Sequence, residues 1–159
     1  MRQRAMVAMG IAAGARIILA DEPTKGLDAR RVQLVADTLN RLERETLLCV
    51  THDLRFAAEI GRDICVMYAA QQLEFGPADA ILSAPLHPYT RDMVAAMPEN
   101  GMRYEDAGFA PSHESYAGRD VGCRYRGRCR ESTARCAQCP PVFDWEGRRV
   151  RCWKYASEN

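Results

Sequence analysis

Residues 15–28 read ARIILADEPTKGLD and give the clearest indication of the fold. The first six residues of this stretch are a short, mostly apolar run of the kind that forms a strand buried on both faces. The run stops at the acidic pair Asp21 and Glu22, and Pro23 and Gly26 mark the loop that follows. A strand of this kind is typical of a parallel sheet that helices cover on both faces.

The sequence around this stretch alternates helices and strands. Residues 28–44 predict a helix with Asp28 as its N-cap, because apolar residues recur there at helical spacing. Residues 47–51, LLCVT, predict a second buried strand, which ends before His52 and Asp53. The order of elements indicates an α/β fold with a mostly parallel sheet and flanking helices. The other predicted elements are helices at residues 1–14, 54–60 and 89–97 and strands at residues 64–68 and 72–75.

Polar side chains follow both predicted strands at the point where each strand ends. Asp21 and Glu22 end the first strand, and Thr51 and His52 end the second. Ligands of open parallel sheets bind at the carboxyl ends of the strands. We therefore expect these four side chains to converge on one ligand, although their spacing alone does not identify it.

Composition excludes several classes of protein. The chain has 159 residues, of which 47% are hydrophobic and 27% charged, and this excludes a disordered or collagen-like chain. The longest apolar run, residues 5–15, is too short to cross a bilayer, and the sequence shows no secretory signal. We therefore expect a cytoplasmic protein.

Several motifs resemble those of ABC-transporter ATPases. Residues 17–24 (IILADEPT), 26–28 (GLD) and 51–54 (THDL) are similar to the Walker B motif, the D-loop and the H-loop, in that order. Residues 1–4 (MRQR) resemble those that follow the LSGG core of the ABC signature. The sequence LHPYT at residues 86–90 and the cysteine-bearing residues 119–159, here called the tail, resemble part of a known extension. It is the C-terminal extension of the oligopeptide, dipeptide and nickel importer subfamily. The resemblance implies that residues 1–83 are the C-terminal part of an ABC ATPase domain and residues 84–159 the extension. We expect this Cys-rich extension to be irregular.

The resemblance also implies a role for each polar residue of the first site. Asp21 would hold Mg²⁺ through water, since a carboxylate is a hard oxygen ligand. Glu22 would polarise the water that attacks ATP, and His52 would hydrogen-bond the γ-phosphate. Asp28, in the D-loop, would help to join two ATPase subunits, although the residue also fits a simple N-cap.

Two motifs of a complete family member do not occur in these residues. The sequence contains no G-x-x-x-x-G-K-[ST], its only lysines are Lys25 and Lys154, and the LSGG core is absent. The P-loop supplies the backbone amides and the lysine that hold the triphosphate. We therefore expect a C-terminal fragment of an ATPase subunit that shows no measurable ATPase activity by itself.

Partners and location follow from the same resemblance. A subunit of this family would pair with a second ATPase subunit and with two transmembrane permease subunits. It would depend indirectly on an external substrate-binding protein. Such a subunit would power the import of peptides or nickel from the cytoplasmic face of the cell membrane, to which it would be peripheral.

The tail differs from the body in charge and in cysteine content. Residues 1–118 hold 12 Lys and Arg against 16 Asp and Glu, whereas residues 119–159 hold 10 against 5. Five of the seven cysteines also lie in the tail. In a reducing compartment such a cluster indicates metal binding rather than disulfides.

Four of the tail cysteines, Cys123, Cys129, Cys136 and Cys152, match the pattern of the subfamily's extension, and the resemblance implies that they hold a [4Fe-4S] cluster. Cys139 is an additional cysteine, which leaves the third ligand open. Zinc is the main rival, because four thiolates also satisfy its tetrahedral site, and unligated buried thiols are a third alternative. Neighbouring arginines could offset the charge of a cluster or form a solvated face; they are Arg124, Arg126, Arg128, Arg130, Arg148, Arg149 and Arg151.

Two further interpretations concern the tail and the segment before it. His87 lies between Pro85 and Pro88, which predicts a structural turn rather than a metal ligand. The alternative function is a non-enzymatic metal-binding module whose basic tail binds nucleic acid. Nothing in the body supports that alternative, so we do not expect a nucleic-acid partner. The aromatic side chains that could stack on bases are Tyr125, Phe143, Trp145, Trp153 and Tyr155.

Overall fold

The computed structural model describes residues 16–42, 46–97, 100 and 122–156. The predicted helix at residues 1–14, which includes the signature-like residues 1–4, lies outside this part of the chain. The chain divides into two compact units, the first ending at Arg62 and the second beginning at Asp63. The domain boundary between residues 83 and 84 stays a prediction.

The first unit is a two-stranded parallel sheet with two helices. Its elements are β1 (Ile17–Asp21), α1 (Ala29–Arg41), β2 (Thr46–Val50) and α2 (Leu54–Ile60). β1 and β2 pair in parallel, from Ile17 opposite Thr46 to Asp21 opposite Val50. The predicted strand–helix–strand–helix order of this region is confirmed.

The core of the first unit lies between α1, α2 and one face of the sheet. Ala36 and Leu39 of α1 and Phe56 of α2 are buried, and Leu47 and Cys49 of β2 pack against them. The predicted apolar face of α1 is thus the face that packs. The helix ends at Arg41 because the next residue has an extended backbone; the predicted end, residue 44, lies outside the described residues.

The opposite face of the sheet is apolar and exposed. Paired residues of parallel strands share a face, so Ile17, Leu19, Leu48 and Val50 lie together. Their side chains are between 57% and 74% exposed in the described structure. An apolar sheet face of this kind is a surface on which further protein packs.

The second unit is a four-stranded antiparallel sheet with helices and turns. Its strands follow the order β3-β4-β6-β5, and every pair is antiparallel. No described helix in either unit has the length and apolar character needed to span a bilayer. The elements of the second unit are β3 (Asp63–Tyr68), β4 (Gln71–Pro77), α3 (Ala78–Ser83), α4 (Pro88–Ala95), β5 (Phe143–Trp145), β6 (Arg148–Val150) and 3₁₀ turns at Ala134–Ala137 and Trp153–Tyr155.

The sheet of the second unit corrects the prediction of a mostly parallel sheet. Only β1 and β2 are parallel in the described residues, whereas β3 and β4 form a hairpin. Ala69 and Ala70 alone connect β3 to β4, with φ of 48° and 60°, and a two-residue connection permits only antiparallel pairing. The tail is also less irregular than predicted, because β6 pairs with β4.

The core of the second unit combines aliphatic and aromatic side chains. Leu73 of β4 and Ile81 of α3 have no exposed surface. The rings of Tyr68, Tyr89 and Tyr125 pack together with centroids 4.7–5.3 Å apart. This ring cluster ties β3, α4 and the start of the tail into one unit.

Candidate functional site

The carboxyl ends of β1 and β2 place two carboxylates and an imidazole at one edge of the first unit. Asp21 is the last residue of β1 and lies opposite Val50. Glu22 follows with a left-handed backbone, φ of 45°, and its N–H donates to the Val50 carbonyl over 2.8 Å. A non-glycine residue rarely adopts this conformation, which indicates that the tertiary structure holds Glu22 in place.

Glu22 and His52 contact each other directly. The Nδ1 of His52 lies 2.8 Å from Oε2 of Glu22. The His52 side chain is 78% exposed, so the pair is open to a ligand from solvent. The structure therefore brings together two of the residues predicted to act on ATP.

The other polar residues predicted near this edge make local contacts. Thr51 accepts a hydrogen bond from the N–H of Asp53 over 3.1 Å, and Asp53 caps α2. Asp28 caps α1, since its carboxylate accepts from the N–H of Arg31 over 3.0 Å. The N-cap interpretation of Asp28 is confirmed, while its D-loop role stays a prediction.

The pKa of Cys49 reflects the charges at this edge. The pKa of its thiol is raised, first by burial and then by the negative charges of Glu22 and Asp21. The carboxylates therefore create a negative potential that reaches the neighbouring strand. A negative, oxygen-rich edge suits a hard divalent cation such as Mg²⁺.

A second candidate site lies in the tail. Cys123, Cys129, Cys136 and Cys152 line one cavity of about 300 Å³. Cys139 is not among the lining residues; its exposed sulfur accepts a hydrogen bond from Gln71 over 3.3 Å. The structure thus separates Cys136 from Cys139, which the spacing of the sequence could not do.

Local backbone geometry brings distant cysteines together. The N–H of Cys123 donates to the Cys136 carbonyl over 2.9 Å. Gly122 makes this approach possible, because a Cβ at that position would lie 2.5 Å from the same carbonyl oxygen. Gly122 also has a φ of 92°, a conformation that L side chains rarely adopt.

The four thiols influence one another's ionisation. The pKa of Cys123 is raised to about 11, chiefly by burial and also by the charges of Cys136, Cys152 and Cys129. All seven cysteines are free thiols. Among the described residues, no three His, Cys, Asp or Glu side chains already stand in the arrangement of a metal site.

Basic side chains share the cavity with the thiols. Arg126, Arg135 and Lys154 line it. Arg126 is one of the arginines expected near the cysteines. Arg135 and Lys154 were not expected there, although they lie next to Cys136 and close to Cys152 in the sequence. Other tail arginines serve the fold, since Arg148 donates to the carbonyls of Ala80 and Ala84 over 3.1 and 2.7 Å.

His87 lies at the junction of α4 and the cavity. Its Nδ1 accepts from the N–H of Tyr89 over 3.0 Å and caps α4, which confirms the predicted structural turn. Glu74 holds the same turn through hydrogen bonds from the N–H groups of Leu86 and His87, 3.0 and 2.9 Å long. His87 is also one of the residues that line the cavity. The sequence did not predict that His87 also lines the cavity.

The aromatic side chains that the nucleic-acid alternative requires are engaged in the fold. Tyr125 is buried and donates to Asp92. Phe143 packs on Trp153 with ring centroids 6.0 Å apart, and Trp145 packs on Tyr155 at 5.1 Å. These rings therefore contact other side chains of the fold, and Trp145 is also 41% exposed.

Comparison with known proteins gives the same family. Residues 73–136 match the family described as the oligopeptide/dipeptide transporter, C-terminal region. The dipeptide transport ATP-binding protein DppD of Escherichia coli K12 is 38% identical over 159 residues, covering 96% of this chain and 48% of that protein. A putative peptide import ATP-binding protein of Brucella abortus strain 2308 is 35% identical, with coverages of 95% and 47%. The oligopeptide transport ATP-binding protein OppD of E. coli K12 is 32% identical, with coverages of 99% and 48%.

The chain spans about half the length of the relatives it matches. The matched family is a C-terminal region, and the motifs and folded elements described above agree with it. The chain is similar to the C-terminal part of the ATP-binding proteins of peptide ABC transporters.

Proposed function

We propose that this chain supplies the water-activating part of the nucleotide site in an ABC transporter that imports peptides. The observation that carries the proposal is the 2.8 Å contact between Glu22 and His52 at the carboxyl ends of two adjacent parallel strands. That contact joins the two residues that the family resemblance assigns to the attacking water and to the γ-phosphate. The names of the relatives favour peptides over nickel as the transported substrate.

Each residue of this edge has a distinct task in the proposal. Glu22 accepts a hydrogen bond from the attacking water and aims its oxygen at the γ-phosphorus. His52 orients the Glu22 carboxylate through Nδ1 and leaves Nε2 for a phosphate oxygen. Asp21 would hold Mg²⁺ through water. Mg²⁺, when bound, neutralises charge that develops on the phosphates.

The proposal requires a P-loop that these 159 residues do not contain. We place the P-loop-bearing part of the site against the exposed apolar face of Ile17, Leu19, Leu48 and Val50. This face is the side of the sheet that the helices of the first unit leave uncovered. The isolated chain then binds no triphosphate and hydrolyses no ATP.

The partners follow from the same proposal. The assembled site works in a pair with a second ATPase subunit, which Asp28 of the D-loop contacts. The pair drives two transmembrane permease subunits from the cytoplasmic face of the membrane. An external binding protein delivers the peptide to them.

Complementation tests the proposed assembly. The half of E. coli DppD that precedes the matched region is fused to residues 1–159, and ATPase activity is compared with that of the chain alone. We expect Mg²⁺-dependent hydrolysis from the fusion and none from the chain. The variant Leu19→Gln, at a 74% exposed position, should abolish the gain while leaving the isolated chain folded. Hydrolysis by the isolated chain, or a Leu19→Gln fusion as active as the parent, would contradict the proposal.

We also propose that the four-cysteine cavity holds a [4Fe-4S] cluster. The residues fit this group in number and charge, because four thiols face one cavity beside Arg126, Arg135 and Lys154. The volume favours a cluster over a single zinc ion. A cavity of about 300 Å³ is roughly ten times the volume of one water molecule, whereas zinc draws four sulfurs to about 2.3 Å from one point. When bound, the cluster contributes covalent cross-links between segments of the tail.

Metal analysis of matched cysteine variants tests the cluster. The chain is purified without oxygen, and iron, acid-labile sulfide and zinc are measured. We expect iron and sulfide in equal amounts, their loss in Cys136→Ser, and their retention in Cys139→Ser, since Cys136 lines the cavity and Cys139 does not. Zinc in place of iron, or equal losses in both variants, would overturn the assignment.

A further inference from the structure

His87 is a buried side chain with one ring nitrogen whose role the fold does not explain. The residue is only 1% exposed. Its Nδ1 accepts the N–H of Tyr89, whereas its Nε2 is buried and has no hydrogen-bond partner among the described residues. Leaving a buried polar group without a partner costs free energy, so such an atom in a native fold indicates a partner that arrives later.

The hydrogen bond to Nδ1 fixes the location of the ring proton. A nitrogen that accepts an N–H hydrogen bond carries no proton, so neutral His87 has its proton on Nε2. The unpartnered atom is therefore a donor. A protonated nitrogen cannot ligate a metal ion, which distinguishes this histidine from the four thiols.

The surroundings of His87 point to the acceptor. His87 lines the cavity together with Cys123, Cys129, Cys136 and Cys152. Thiolates and the sulfides of a cluster are negatively charged acceptors of hydrogen bonds. The turn that carries His87 is held by two hydrogen bonds to the buried carboxylate of Glu74, so the ring is fixed before a ligand binds.

We propose that Nε2–H of His87 donates a hydrogen bond to a sulfur of the group held by the four cysteines, and that this bond raises the group's reduction potential. His87 is then a positioning residue with two tasks, since one ring nitrogen caps α4 and the other donates into the cavity. The inference rests on the proposed [4Fe-4S] cluster. A donor that faces a sulfur stabilises the reduced, more negative form of a cluster, which is the physical basis of the expected shift.

Two substitutions separate these tasks. In His87→Asn, the side-chain oxygen takes the place of Nδ1 and keeps the cap, but the donor into the cavity is lost. In His87→Gln, the longer side chain keeps an N–H donor near the position of Nε2 and weakens the cap. If His87 has only a structural role, only His87→Gln should have an altered reduction potential. The proposal predicts that only His87→Asn does.

Potentiometric titration of the reconstituted 159-residue chain tests the inference. We expect His87→Asn to keep its iron and to lower the equilibrium constant for one-electron reduction about tenfold, which is about 59 mV. His87→Gln should stay near the parent value. Far-ultraviolet circular dichroism checks that both variants fold.

The outcomes distinguish this inference from the proposed [4Fe-4S] cluster on which it rests. A parent chain that takes up no iron and sulfide overturns both. A parent chain that holds a cluster, with the same potential in His87→Asn, overturns the role of His87 alone. Loss of iron from a folded His87→Asn chain would make His87 a ligand, and this also overturns the proposed donor.

Discussion

At the scale of single residues, the ionisation of Cys49 responds to the carboxylates at the carboxyl ends of β1 and β2. Its pKa is raised by burial and by the charges of Glu22 and Asp21, so less thiolate is present at a given pH. Removing one negative charge should lower this pKa and speed alkylation. We expect Glu22→Gln to accelerate the reaction of Cys49 with iodoacetamide at pH 8 roughly threefold, as measured by peptide mass spectrometry.

Cys65 is the internal control for that measurement. The pKa of Cys65 is raised by burial and opposed by the charge of Arg149, without a contribution from Glu22. Its alkylation rate should be the same in both chains. Equal acceleration of the alkylation of Cys49 and Cys65 would show that Glu22→Gln loosens the structure and does not act through its local charge.

A buried ion pair in the second unit supplies another residue-scale prediction. Glu74 has no exposed surface, and Arg148 lies 3.7 Å from it on one side and 3.9 Å from the exposed Glu146 on the other. Glu74→Gln leaves the arginine without its buried partner and should cost about 3 kcal/mol of unfolding free energy. Glu146→Gln should cost less than about 1 kcal/mol.

Urea denaturation followed by tryptophan fluorescence measures this difference, because both tryptophans belong to the second unit. Similar losses in the two variants would refute the importance of burial.

The pair also marks a limit of sequence reasoning. Glu74 is flanked by Leu73 and Phe75, so nothing in the sequence distinguishes a buried acceptor for two backbone amides from a surface acid.

At the scale of elements, the turn between β3 and β4 carries strain that a substitution can relieve. Ala69 and Ala70 both have positive φ, which costs a non-glycine residue roughly 1–2 kcal/mol. The β5–β6 turn has the same form with Glu146 and Gly147. We expect Ala70→Gly to raise the unfolding free energy by about 1 kcal/mol.

Ala80→Gly, in the middle of α3, is the matched control for this turn. It should lower the unfolding free energy by about 1 kcal/mol, because glycine disfavours helix. Calorimetric melting of the two variants measures both effects. Destabilisation by Ala70→Gly would show that the turn is not strained.

The same turn explains which elements the sequence predicted and which it did not. Apolar runs predicted the positions of β1, β2, α2 and β3 to within about two residues, because buried elements require apolar residues. The direction of β4 depended on two alanines, which carry none of the usual signals of a tight hairpin. β5 and β6 have three residues each, too few for a readable period.

At the scale of the whole molecule, the two units differ in what their sequences reveal. The Glu22–His52 pair was predictable because adjacent parallel strands bring their ends together from a distance of thirty residues along the chain. The cavity of the tail was only partly predictable. Cysteine spacing gave the candidate ligands, but the exclusion of Cys139 and the inclusion of His87 depend on backbone turns around Gly122 and Pro88.

In the proposed function, Glu22 acts on the attacking water and does not bind the nucleotide. The most direct measurement compares Glu22→Gln with its parent in the fusion with the P-loop-bearing half of DppD, recording single-turnover hydrolysis and the Kd for ATP separately. We predict that hydrolysis slows at least about hundredfold while the affinity for ATP is unchanged. Glu146→Gln should alter neither. Undiminished hydrolysis by Glu22→Gln, or a loss that follows weakened ATP binding, would contradict the assignment of Glu22.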